Sequence, residues 1–123
     1  MKQFFFIFLF LQIGLFHASA QDTKKPITTT FWVGGVCDMC KARIERAMDT
    51  KGVRAASYNL EAHELNVTYV PAKISIEQLH ALLNEIGHDT DKSKASDAAY
   101  ERVHGCCKYR THENHHDDKD GHN

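Results

Sequence analysis

Hydrophobic and polar positions divide the chain into an apolar leader, a periodic middle and a wholly polar end. Phe4 to Phe16 is almost entirely apolar, preceded by the basic Lys2 and followed by His17, Ala18, Ser19 and Ala20. The run is short for a bilayer span, which takes about 20 residues. Small residues ahead of Gln21 complete the pattern of a cleavable signal peptide over residues 1–20. The expectation is an exported protein, periplasmic if the cell is Gram-negative. Its mature part has roughly 100 residues, enough for one small domain.

The middle of the chain alternates between two periods. Ile27 to Val33 is rich in Thr, Phe, Trp and Val and reads as a strand, which Gly34 and Gly35 break. A helix is expected from about Asp38 to Thr50, because Cys40, Ile44, Ala47 and Met48 share one helical face. Gly52 is expected as its C-cap. Val53 to Leu60 then places Ala56, Tyr58 and Leu60 on one side, and Glu64 to Val70 places Leu65, Val67 and Tyr69 on one side, a hairpin pattern. Ser75 and Gln78 form a capping box, and the helix they open carries Ile76, Leu79, Leu83 and Ile86 on one face before Gly87.

The order so far is βαββα. With His88 to Lys94 as a polar edge strand it becomes βαββαβ, an α+β, ferredoxin-like sandwich. Its expected core is Ile44, Met48, Leu65, Val67, Leu79 and Leu83. Beyond this plan, Ser96 to His104 has helical composition with Ala98, Ala99 and Val103 near one side, and Gly105 breaks it ahead of Cys106 and Cys107. The expected division is residues 21–94 as the domain, 95–110 as a C-terminal extension and 111–123 as a disordered His- and Asp-rich tail.

Chemistry concentrates at the Cys pairs. Cys37 and Cys40 stand three positions apart where a strand gives way to a helix, so their thiols can converge. Free N–H groups at the helix start favour thiolate over thiol. Such a pair suits a soft metal ion or dithiol redox chemistry. A purely structural role is the remaining reading. A disulfide within either close pair, Cys37/Cys40 or Cys106/Cys107, closes no long loop, and adjacent Cys residues form only a strained bridge.

In that frame, Val33-x-Gly35-x-Cys37-x-x-Cys40, Lys51-Gly52-Val53 and Gly87 make the segment from about Thr28 to Asp91 resemble the heavy-metal-associated domain family. That family comprises small βαββαβ modules found as copper chaperones, as modules of metal-exporting ATPases and as exported mercuric-ion-binding proteins. The resemblance implies Cys37 and Cys40 as the metal ligands. The family loop reads Gly-Met-Thr-Cys-x-x-Cys; here Gly35-Val36-Cys37 is read as one residue shorter, with Val36 in the place of a buried Met. The Cys106–Cys107 extension lies outside the usual domain.

Two thiolates without a carboxylate or imidazole in the loop favour Cu(I), with Hg(II) and Zn(II) as alternatives. Cys106 and Cys107 are read as further soft-metal ligands, as partners of Cys37/Cys40 in a metal-free disulfide, or as free thiols. If the extension folds back over the domain, up to four thiolates meet. His88 follows Gly87 in a loop that the resemblance places beside the metal loop, and is read as a further candidate ligand or as a helix-terminus cap; Met39 is either a thioether ligand or a solvent-facing loop residue. His112, His115, His116 and His122 make the tail a weak site for Cu(II), Zn(II) or Ni(II) or a solvated segment.

A net charge of −1 gives no electrostatic case for nucleic acid. No nucleophile–base–orienter set is visible, so the expectation is a monomeric carrier or scavenger, not an enzyme. Its implied partner is a membrane metal transporter or metal-exporting ATPase. The alternative is an exported dithiol–disulfide oxidoreductase. A thioredoxin-like plan wants a different strand order and a proline loop opposite its thiols; Pro71 is better explained as a strand stop.

Overall fold

The computed structural model describes residues 24–113, with side chains to residue 111. The signal peptide expected over residues 1–20, and His115, His116 and His122 of the tail, lie outside the described residues. No described helix is long and apolar enough to cross a membrane.

The elements run β1 (Ile27–Trp32), α1 (Asp38–Ala47), β2 (Val53–Asn59), β3 (Glu64–Tyr69), α2 (Ile76–Glu85), α3 (Asp97–Glu101) and α4 (Tyr109–Glu113), with a single 3-10 turn at Gly105–Cys107. The strands form an antiparallel sheet in the order β1-β3-β2. Register pairs Phe31 with Leu65 in one direction and Tyr58 with Leu65 in the other. The period-two alternation therefore lines Phe31, Tyr58, Leu65, Val67 and Tyr69 on one face. Ile44 and Met48 from the α1 segment and Leu79 and Leu83 from α2 close over that face in one buried cluster. Complete burial of a Leu, Ile or Val side chain contributes about 1.5–3 kcal/mol each relative to exposure. The opposite face is polar, with Thr28 hydrogen-bonded to Thr68 at 2.7 Å and Asn66 donating to Thr30 at 2.8 Å.

Local signals explain most boundaries. Ser75 and Gln78 make both hydrogen bonds of the capping box at the start of α2. Gly87 follows that helix at φ +93°, and a Cβ there would meet the Ala99 carbonyl oxygen at 2.7 Å. At α1 the expectation is corrected. The helix ends at Ala47 with Met48 as its cap, and Gly52, at φ +101°, serves the turn into β2 instead.

The fold is α+β and ferredoxin-like, but the fourth strand expected over His88 to Lys94 is not formed. Only Thr90 bridges to Val33, on the free edge of β1 where that strand would lie. Gly34 N–H donates to the Asp89 carbonyl at 2.9 Å, and then Thr90 N–H turns back onto Ser93 O at 2.8 Å. The segment is held by its side chains instead. His88, Asp89 and Thr90 are all buried, and each bonds a different neighbour.

The extension also differs from its expected form. α3 is capped by Ser96, whose hydroxyl accepts from Ala99 N–H at 3.1 Å, and it is only five residues long. Ala99 and Val103 face inward with Tyr100, whereas Ala98 is exposed. α4 runs through to Glu113, so the first residues expected as disordered tail are helical.

Candidate metal centre

The two Gly residues ahead of the thiols allow close approach. A Cβ on Gly34 would meet the Tyr109 ring at 2.5 Å, and one on Gly35 would meet Tyr58 Oη at 2.9 Å and Cys40 Cβ at 3.1 Å. The loop residue facing the main core is therefore Gly35. Val36, expected in the place of a buried Met, packs instead beside Cys37 against a second cluster of Cys40, Tyr100, Val103, Cys107 and Tyr109. The loop carbonyls are tied down from several directions. Tyr58 Oη donates to Val33 O at 2.7 Å, His63 Nδ1 to Gly35 O at 2.7 Å and His88 Nδ1 to Gly34 O at 2.7 Å.

Cys37 is the N-cap of α1 in extended conformation, and Cys40 lies in the first turn, fully buried. Their sulfurs are 3.3 Å apart. The extension brings the other pair to the same place. Cys107 Sγ lies 3.0 Å from Cys37 Sγ, and Cys106 Sγ lies 3.8 Å from it. Cys37, Cys40 and Cys107 hold their sulfurs within 4.8 Å of one another, a grouping suited to a metal ion. Cys106 falls outside that trio, exposed, with its sulfur 4.0 Å from Cys107 Sγ and 3.5 Å from Met39 Sδ. All four thiols are free.

Burial and hydrogen bonding separate the thiols. Burial alone would raise Cys37. Hydrogen bonds from Cys107, from the Cys40 backbone N–H and from the Cys40 and Cys106 thiols outweigh it and lower Cys37 to about 7. Burial pushes Cys40 up. Burial, and then its bonds to Cys37 and Cys40, push Cys107 far up. In the metal-free site Cys37 is thus the first of the three thiols to ionise, with the buried Cys40 and Cys107 as its hydrogen-bond partners.

What brings Cys107 here is a clasp that sequence reasoning did not find. Tyr109 is fully buried; its hydroxyl donates to Gly87 O at 2.9 Å and accepts from Asp89 N–H at 2.7 Å. Arg110 grips both Asp89 carboxylate oxygens, at 2.9 and 2.7 Å, and reaches Ala95 O at 2.8 Å. Its guanidinium also lies 4.2 Å from the Tyr100 ring centroid. Asp89 in turn accepts from Ala95 N–H at 2.7 Å. Cys107 is thus flanked by anchored residues. The only sequence cue was composition: Tyr109 and Arg110 follow the Cys pair with Lys108 between.

His88 is not brought into the thiol trio. Its Nδ1 is taken by Gly34 O, its ring stacks on Tyr109 at 5.6 Å between centroids, and burial lowers its pKa. His88 acts on the site as a brace for the loop carbonyl. Met39 is exposed and touches only the outer thiol among the sulfurs.

The comparisons agree with the fold. Residues 30–89 match the model of the family described as the heavy-metal-associated domain. Among curated proteins, a copper-exporting P-type ATPase of Staphylococcus saprophyticus is 32% identical over 88 residues, covering 62% of this chain and 11% of the ATPase. The chain therefore spans a small part of that protein. Among solved structures, the CopZ metallochaperone is 29% identical, with a TM-score of 0.50 over 52% of this chain and 98% of its own. Oxidized MerP from Ralstonia metallidurans is 25% identical, with a TM-score of 0.52 over 55% of this chain and 96% of its own. The N-terminal domain of a potential copper-translocating P-type ATPase from Bacillus subtilis, solved in the Cu(I)-loaded state, is 25% identical, with a TM-score of 0.52 over 54% of this chain and 85% of that one. The Cys106–Cys107 extension lies beyond the matched residues. With this fold and this family match, residues 30–89 of the chain belong to the heavy-metal-associated domain family.

Proposed function

We propose that this protein carries or sequesters a soft metal ion, Cu(I) first and Hg(II) or Zn(II) next, outside the cytoplasm. The observation that carries the reading is the grouping of Cys37, Cys40 and Cys107 sulfurs within 4.8 Å on a heavy-metal-associated domain. Cys37 and Cys40 are the primary ligands and Cys107 completes them. Sulfur donors without a carboxylate in the trio select soft ions.

The division of exposure suits transfer. Cys40 and Cys107 are buried and anchor the ion from inside, while Cys37 faces the surface. An incoming thiol from a partner bonds the ion on the Cys37 side before the buried sulfurs let go. The ion is cargo, and it leaves with its oxidation state unchanged as thiolates exchange. A membrane metal transporter or metal-exporting ATPase is the proposed recipient or donor, in keeping with the ATPase modules among the relatives. Export rests on the apolar leader of residues 1–20. One chain supplies the whole trio, so a monomer suffices.

The oxidoreductase alternative draws on the lowered Cys37 thiol. The domain family favours the carrier, and no catalysis is proposed. Competition with a chromophoric Cu(I) chelator tests the reading. Cys37→Ser/Cys40→Ser is expected to lose Cu(I) affinity by orders of magnitude with the fold retained by circular dichroism. Unchanged affinity, or turnover of a disulfide substrate by a protein that binds no Cu(I), would overturn it.

A further inference from the structure

Cys37 occupies an unusual position among the sulfurs. Its Sγ is 3.0 Å from Cys107, 3.3 Å from Cys40 and 3.8 Å from Cys106. The other sulfurs divide around it into an inner and an outer group. Cys40 and Cys107 are buried on one side. Cys106 and Met39 are exposed on the other, with their sulfurs 3.5 Å apart. From this arrangement we infer that the protein holds two Cu(I) ions in one binuclear site bridged by Cys37. The inner ion sits among Cys37, Cys40 and Cys107, and the outer ion among Cys37, Cys106 and Met39. The inference rests on the soft-metal reading above and extends it from one ion to two.

Three features support two ions over one four-sulfur cage. Cys106 is exposed and stands outside the Cys37, Cys40 and Cys107 grouping, approaching Cys37 at 3.8 Å and Cys107 at 4.0 Å. Its two nearest sulfurs are Met39 at 3.5 Å and Cys37 at 3.8 Å, ahead of Cys107 at 4.0 Å, and with the first two it makes a second set of three sulfurs. Five sulfurs with one shared give each ion three soft donors, and a thiolate has lone pairs to bridge two ions. The scale also fits. At a metal–sulfur bond of about 2.3 Å, sulfurs sharing one ion stand about 3.8 Å apart. The Cys37–Cys106 and Cys106–Met39 separations of 3.8 and 3.5 Å are already close to that spacing. The inner pairs at 3.0 and 3.3 Å need only open slightly. Met39 is a neutral ligand, so four thiolates more than offset the charge of two monovalent ions and leave the loaded site anionic. Each thiol releases its proton to solvent as its sulfur binds, and no oxidant or reductant is involved.

The arrangement gives the two ions different roles. The outer one, on exposed donors, is the last to load and the first to leave. The inner one is retained. A single bridging sulfur lets an ion pass between the sets without leaving sulfur coordination.

The test is an anaerobic titration of the whole reduced chain with Cu(I) against a chromophoric chelator, with native mass spectrometry to assign ions to monomers. X-ray absorption at saturation reads whether copper has copper as a neighbour. The expected result is two ions per monomer with a copper–copper shell. Met39→Leu/Cys106→Ser should hold one ion, without that shell, at an affinity for it within about threefold of the unaltered chain. Saturation of the unaltered chain at one ion per monomer would overturn the binuclear site and leave the carrier reading standing. A second ion that survives Met39→Leu/Cys106→Ser, or that appears only in dimers, would place it elsewhere and overturn it equally. Failure to hold any Cu(I) against the chelator would overturn both readings.

Discussion

The three-stranded body and the C-terminal extension are stabilised in different ways. From Ile27 to Glu85 the chain builds a sheet and two ten-residue helices around one apolar cluster. From Ala95 to Glu113, where the described residues end, it has only helices of five residues and a single turn. Helices that short do not persist alone. They are held by a small buried cluster around Tyr100, Val103, Cys107 and Tyr109 and by particular polar contacts: Tyr109 in its slot between Gly87 and Asp89, and Arg110 on Asp89. The body fixes Cys37 and Cys40, and the extension delivers Cys107. Burial of apolar surface tolerates approximate geometry, whereas hydrogen-bonded contacts must be made individually. Thus the third ligand depends on a handful of polar bonds that open locally at lower cost than the whole fold.

Damage to the body should take everything with it. Leu79→Ala removes a fully buried side chain at the helix–sheet contact. It should cost about 2–5 kcal/mol, lowering the urea midpoint of the body and the extension together. Two separate transitions in that variant would mean that the body does not support the extension.

Damage to the clasp should act on the extension alone. Tyr109→Phe leaves the ring in place but strips a partner from buried Asp89 N–H. A cost of about 1–3 kcal/mol follows from that unsatisfied donor. Hydrogen exchange should quicken over residues 97–110 while β1, β2 and β3 stay protected. Uniform acceleration across the sheet would erase the distinction.

A smaller, reversible version uses pH. Burial would raise Asp89, but the Arg110 bonds outweigh it and hold the carboxyl below its ordinary value. A depressed folded pKa gives stability that is present above the unfolded value, about 3.9, and is lost as pH falls through the folded one. Acid should therefore loosen the extension first. The Tyr109 and His88 NMR signals should shift on acidification below about pH 4 while Leu65 and Val67 hold. Arg110→Gln should raise the pH at which this happens. No change in the midpoint would remove the ion pair from the account.

The same contrast explains what could be read from the sequence. Alternation at Leu65, Val67 and Tyr69, helical spacing at Leu79 and Leu83, and the Ser75–Gln78 box are local signals, and they gave the sheet, both long helices and the core. The segment at His88–Thr90 misled. Its polar residues resembled an edge strand but are buried and satisfied by side chains and a turn. No local pattern announces that Tyr109 will bond Gly87 or that Arg110 will bond Asp89 from 21 residues away. Gly35 was likewise opaque, because its closeness to Tyr58 and Cys40 exists only in the folded loop. The Cys pairs were visible from composition, but the ordering of their sulfurs, with Cys37 at the hub and Cys40 and Cys107 behind it, required the fold.

The central claim is that Cys107 joins Cys37 and Cys40 around one soft ion. The most direct measurement is the sulfur coordination of the first Cu(I) equivalent by X-ray absorption, compared between the unaltered chain and Cys107→Ser. The account expects three sulfurs in the first and two in the second, with a drop in affinity of at least tenfold. Two sulfurs in both, at equal affinity, would contradict it and reduce the site to Cys37 and Cys40.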